Sequence, residues 1–212
     1  MDDPGSHRSG PHESATTSGP PVLPSDAPLD AELPPDLQVA LARFLGTESI
    51  TTLAAWTRSL RELVGDGTIT VDSLCLTTQE TPHRGVMDGE LHYFACFYDA
   101  VILAAIAEQP VDVRTKRPEG VEITARANGS DVVDVDPPEA VFSFGIDRHV
   151  DPPGEDGPST SDGYDAICPY VKAFPDADAY RSWARTVPAP TVALPLAGAT
   201  ELATSLDSNT GE

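Results

Sequence analysis

Lysine is nearly missing from this chain: it appears only as Lys116 and Lys172 among 212 residues. Arginine adds little, for 13 basic residues face 34 acidic ones and the formal charge is −21. A surface of that sign repels phosphate backbones and anionic membranes, so neither nucleic acid nor a membrane is expected as a partner. Long hydrophobic runs are absent too. No apolar stretch reaches the roughly 18 residues needed to span a bilayer, and the N-terminus has neither a basic n-region nor an apolar h-region, so no secretory signal is expected. Cysteine is scarce and odd in number, at Cys75, Cys96 and Cys168. Without close pairing it argues against a disulfide framework and points to free thiols in a reducing cytoplasm. No Cys-x-x-Cys or His-x-x-x-His spacing supports a zinc site, and structural hydrogen bonding is the expectation for His83 and His92.

What is abundant is acid, spread along the whole chain. That distribution fits a cytoplasmic protein of a high-salt interior, where a Debye length of about 3 Å at 1 M makes self-repulsion tolerable.

Residues 1–34 are rich in Pro, Gly, Ser, Thr and Asp and are expected to form a disordered tail, with His7 and His12 solvated in it. Pro34-Pro35-Asp36 opens a helix that Gly46 closes. A second helix from about Ile50 to Val64 puts Leu53, Trp56, Leu60 and Leu63 on one face. Thr68–Val71 reads as a strand. Helix, helix and strand suit a small winged-helix-like subdomain over 35–80, although it lacks a basic face and is expected to pack on the rest. Cys75, in Ser73-Leu74-Cys75-Leu76, reads as an inert buried thiol. Residues 81–206 form the larger domain and 207–212 a frayed end. Within it Val121–Ala125 and Asp131–Val135 flank the hairpin signal Asn128-Gly129. Val141–Phe144 is a further strand, 147–165 a long loop that is functional or mobile, and a helix runs from Asp176 to near Arg185. A last strand at Thr191–Leu194 precedes a short helix over Ala197–Leu206. The fold class expected is α+β: the helical N-terminal subdomain, then a mixed, mainly antiparallel sheet with flanking helices.

Residues 87–107 are the centre of the chain. They open with Asp88-Gly89 and run apolar for most of four helical turns, with two exceptions, Cys96 and Asp99. Three apart on a helix, these side chains meet on one face. A carboxylate between Ala95-Cys96-Phe97-Tyr98 and Ala100-Val101-Ile102-Leu103 loses hydration and must pair, ligate or hold its proton, which makes it a candidate for proton transfer. The plainer alternative is a carboxylate bonded to backbone beside a small core thiol.

Leu76-Thr77-x-x-x-Thr81-x-His83, then Gly89-x-Leu91-x-Tyr93, then Ala95-Cys96-x-x-Asp99, resembles the organomercurial (alkylmercury) lyase family. So does Cys168 after a β-rich stretch, ahead of the Trp-bearing Tyr180-Arg181-Ser182-Trp183-Ala184. The resemblance covers roughly residues 36–205. It implies a winged-helix-like subdomain and a catalytic set of Cys96, Asp99 and Cys168 that cleaves carbon–mercury bonds. The chain departs from the family at Ala95, where a bulky aromatic is common, and at Val113–Arg117, where a further cysteine is common.

Thiolates select soft metals. One thiolate binds R–Hg⁺, a second raises electron density at the attached carbon, and a positioned acid supplies the proton. Cys96, Asp99 and Cys168 are therefore a complete inventory for protonolysis, with no organic cofactor. Cys96 and Cys168 would hold the product Hg(II) until small thiols or, as the resemblance implies, mercuric reductase takes it. Two alternatives remain at this point: a non-catalytic soft-metal (Hg or Cu) binder using Cys96 and Cys168, and a thiol or metal sensor. A carrier has no use for a buried acid beside its thiol, and a DNA-bound sensor needs a basic face.

Overall fold

The computed structural model describes residues 19–64, 74, 76–116, 120–154 and 157–207. Two antiparallel sheets and six helices make up this part, an α+β architecture. Helix α1 (Pro35–Leu45) starts with proline in its first turn and ends at Gly46, whose φ of 67° lets its N–H reach the Ala42 and Arg43 carbonyls. Helix α2 (Leu53–Val64) is started by the Thr52 hydroxyl, which accepts from Ala55 N–H at 3.1 Å.

The larger sheet comprises β1 (Leu76–Thr77), β2 (His83–Met87), β3 (Glu90–Phe94), β4 (Val111–Lys116), β5 (Glu122–Ala127) and β6 (Val132–Asp136), in the order β1-β3-β2-β4-β5-β6. Burial alternates strictly along β4, the signature of a sheet covered on one face. The cover is α3 (Tyr98–Ala107), nearly all of it buried. Gly85 in β2 permits the approach, because a Cβ there would stand 2.8 Å from Val111 Cγ1, 3.2 Å from Phe94 Cε2 and 3.4 Å from Ala100 Cβ. On its far side α3 meets α6 (Ala199–Asp207) and, through Tyr98 stacked on Phe142, the smaller sheet.

That smaller sheet runs β8 (Ala173–Phe174), β7 (Val141–Gly145), β9 (Thr191–Pro195), and α5 (Ala177–Ala184) packs on it. Asp176 caps α5 by accepting from Ala179 N–H at 2.7 Å. Leu37, Leu53 and Trp56 belong to the same hydrophobic cluster as Phe94, Leu103 and Leu194, so α1 and α2 share their core with both sheets. Among the described residues no helix is long and apolar enough to cross a membrane.

Three expectations are corrected. Residues 87–107 are not one helix: β2 and β3 form a hairpin around Asp88 (φ 50°) and Gly89 (φ 83°), and α3 begins only at Tyr98. Positive φ at both central positions is the type I′ turn that joins twisted strands. The described part of the N-terminal tail, residues 19–34, is packed and not disordered. Leu23 N–H donates to the Ala193 carbonyl at 2.7 Å and Ala193 N–H to Pro21 at 3.1 Å, while Leu23 and Leu33 are buried. Those leucines are the anchors that the polar composition conceals. The loop 147–165 ends in a helix, α4 (Thr160–Ala166), opened by a Ser159–Asp162 capping box. Residues 1–18, the strand expected at Thr68–Val71, Cys75 and residues 208–212 lie outside the described residues.

Candidate active site

The bend between β3 and α3 carries Cys96, and the first turn of α3 carries Asp99. Thr81 fixes that junction: its hydroxyl lies 2.7 Å from the Phe94 carbonyl and 2.9 Å from that of His83, and it accepts from His83 N–H at 3.2 Å. His83 in turn meets Thr115 of β4, with Nδ1 2.7 Å from Oγ1. Burial, assisted by the charge of Lys172, pulls the His83 pKa down to about 4, so the ring is neutral at ordinary pH. Thr81 and His83 thus tie strands together two residues ahead of Cys96.

Cys96 is 4% exposed, and its Sγ lies 3.9 Å from the Val171 carbonyl. It precedes the helix by two residues and does not lie on it. Asp99 is 6% exposed in the first turn of α3, where the helix N-terminus favours negative charge. Between them stands Tyr98, whose hydroxyl donates to the Ala199 carbonyl. Burial, then the neighbouring Cys96, pushes the Tyr98 phenol well above its ordinary range, so it keeps its proton.

Cys168 arrives from the other direction. Helix α4 ends at Ala166 and the chain tightens into a 3-10 turn over Cys168–Tyr170. Cys168 is half-buried, and neither it nor Cys96 is in a disulfide.

Cys96, Asp99 and Cys168 line one cavity of about 280 Å³. Phe44 of α1, Trp56 of α2, Ile102 of α3, Phe142 and Phe144 of β7 and Leu202 of α6 supply much of its apolar wall. Asp99 is the single carboxylate among the described lining residues. Trp56 stands edge-on to Phe144, with ring centroids 4.9 Å apart. The sequence marks Trp56 as a core residue of an N-terminal helix, and nothing in its spacing places it beside the thiols. Only the tertiary packing of α2 does. A more open cleft of about 930 Å³, lined by Arg61, Glu108, Asn128 and Glu201 among others, contains neither thiol and offers none of their chemistry. Among the described residues no group of three or more His, Cys, Asp and Glu side chains is arranged to hold a metal ion.

With soft thiols, one carboxylate and an apolar wall, the cavity can take a soft electrophile bearing an apolar group and deliver a proton beside it. The family to which the sequence is similar agrees in kind. The family model "MerB: Alkylmercury lyase" matches residues 76–207, well over half of the chain. No curated protein matches. Among solved structures, "Crystal structure of the mercury-bound form of MerB2" aligns at a TM-score of 0.45 and 10% identity, covering 82% of this chain and 91% of that one.

Proposed function

The chain belongs to the alkylmercury lyase family and is an organomercurial lyase, and from that premise we propose that Cys96, Asp99 and Cys168 are its catalytic residues. The observation that carries the proposal is that the two cysteines and the one carboxylate among the described lining residues line one largely apolar cavity.

The organomercurial enters with its organic group against the aromatic wall, and a thiolate takes the metal in R–Hg⁺. Asp99 accepts the thiol proton released as the second sulfur binds. Two sulfur donors raise electron density on mercury and on the attached carbon. Asp99 then returns the proton to that carbon: the electron pair of the C–Hg bond forms the C–H bond, R–H leaves, and Hg(II) stays on Cys96 and Cys168. Low water content in an apolar cavity strengthens each of these charge interactions. Mercury is substrate and cargo throughout.

Cys168 is the more exposed of the two cysteines, so an incoming thiolate, free or on a partner such as mercuric reductase, bonds to mercury from that side and displaces the Cys168 thiolate first. Helices α1 and α2, within the proposed 35–80 subdomain, cover the cavity through Phe44 and Trp56. Pro158, Ser159, Gly163 and Tyr164 of the 147–165 segment also line the cavity, which supports that segment as a lid. The −21 charge supports life in high salt and the free thiols support a reducing cytoplasm.

Purified protein incubated with phenylmercury and excess thiol should release benzene into the headspace. Cys96→Ser, Cys168→Ser and Asp99→Asn should each remove that release, and normal benzene output from any of the three variants would refute the assignment.

A further inference from the structure

One residue touches both cysteines. The Val171 carbonyl faces Cys96 Sγ at 3.9 Å, and the Val171 N–H donates to the Cys168 carbonyl at 3.2 Å. On either side of Val171 the chain is bound to a single side chain of β7. The Ser143 hydroxyl donates to the Tyr170 carbonyl at 2.7 Å and accepts from the Lys172 N–H at 3.1 Å. The backbone N–H of Ser143 completes the clamp, donating to the Lys172 carbonyl at 2.8 Å.

Ser143 is fully buried, and it stands between Phe142 and Phe144, which line the cavity. Gly145 brings the same segment close. A Cβ there would lie 2.6 Å from Thr191 Cγ2, 2.7 Å from the Pro190 carbonyl and 3.2 Å from Tyr170 Cβ. A buried hydroxyl in an otherwise apolar strand must be bonded, but a core needs no hydroxyl here. Its effect is to hold residues 170 and 172 in one place.

We infer that Ser143 is a positioning residue: its hydroxyl clamps the Tyr170–Lys172 segment so that Val171 sets the separation of Cys96 and Cys168. The inference rests on the assignment of these two cysteines as the mercury-holding pair. A thiol bound to the same metal as its neighbour acts at an effective concentration fixed by the chain between them. Loosening that chain weakens the second sulfur–mercury bond while leaving capture by one thiol intact.

The test uses full-length protein loaded with one equivalent of HgCl₂ and challenged with glutathione. Wild type should retain mercury longer than Cys168→Ser, and Ser143→Ala should lose it about tenfold faster than wild type or more. With phenylmercury, Ser143→Ala should lower kcat by a similar factor and leave KM within about twofold. Ser143→Thr, which keeps the hydroxyl, should recover most of both. The melting temperature of each variant separates a general loss of fold from this effect. A measurement without mutation covers the case of a variant that does not fold: the Lys172 amide of wild type should be protected from hydrogen exchange. Wild type losing mercury as fast as Cys168→Ser would overturn the thiol pair itself. Wild type retaining it, with Ser143→Ala equally retentive or the Lys172 amide unprotected, would overturn the clamp alone.

Discussion

Replacing Asp99 with asparagine changes one heavy atom and removes the proposed proton-transfer group. The side chain keeps its shape in a site that is 6% exposed, so the packing of α3 is undisturbed. What the variant loses is the only carboxylate among the described lining residues. Tyr98 does not replace it, since its phenol is held well above the ordinary range and donates to the Ala199 carbonyl. A positioned general acid accelerates proton transfer by about 10² to 10⁴, and each tenfold corresponds to about 1.4 kcal/mol of barrier. Asp99→Asn should therefore lose about 3–5 kcal/mol of transition-state stabilisation while the first thiolate still captures the substrate. The assay has two parts: mass spectrometry of protein mixed with one equivalent of phenylmercury, and headspace detection of benzene. The variant should carry the phenylmercury adduct to full occupancy and release benzene at least about a hundredfold more slowly. Turnover within about threefold of wild type, outside the range expected for a lost general acid, would refute the proton-relay role.

Other consequences are checked as directly. Cys75→Ala should retain benzene release, whereas Cys96→Ser and Cys168→Ser should not; a folded but inactive Cys75→Ala would break that division. Trp56→Ala removes a large buried ring from the cavity wall and should cost about 3–5 kcal/mol of stability in denaturant titration. If the organic group lies against this wall, as proposed, the same variant should lower the ratio of benzene to methane released from phenyl- and methylmercury. His83 has a folded pKa of about 4 against the ordinary histidine value of 6.5. The unfolded chain therefore binds more protons between those values, and stability should fall as pH drops from about 6.5 to 4, by about 3 kcal/mol at most. Denaturant midpoints of wild type and His83→Gln across that interval check this, and parallel curves would contradict it.

Elements with local signatures are legible in the chain without its fold. Pro35 and Gly46 bracket α1, Asn128-Gly129 turns β5 into β6, and Asp176 starts α5, because capping and turn chemistry act within a few residues. The run around His92-Tyr93-Phe94-Ala95-Cys96 reads as helix and folds as strand and turn, since short apolar runs have no period that separates the two. Asp88-Gly89 holds the correct answer as a hairpin turn. Leu23 and Leu33 are hidden in a polar tail because their partners on β9 and α1–α2 are remote in sequence. At the site, Cys96 and Asp99 stand out as polar residues in apolar surroundings. Trp56, Phe142 and Ser143 do not, since their roles come from packing of α2 and β7 against a segment distant in the chain.

Hydrocarbon release in heavy water tests the central claim most directly. If Asp99 carries a solvent-exchanged proton to the carbon leaving mercury, wild type turned over in D₂O should release benzene bearing one deuterium, with Hg(II) left on the protein in equal amount. Cleavage that gives undeuterated benzene, or phenylmercury recovered intact after full loading of both thiols, would contradict protonolysis at this site.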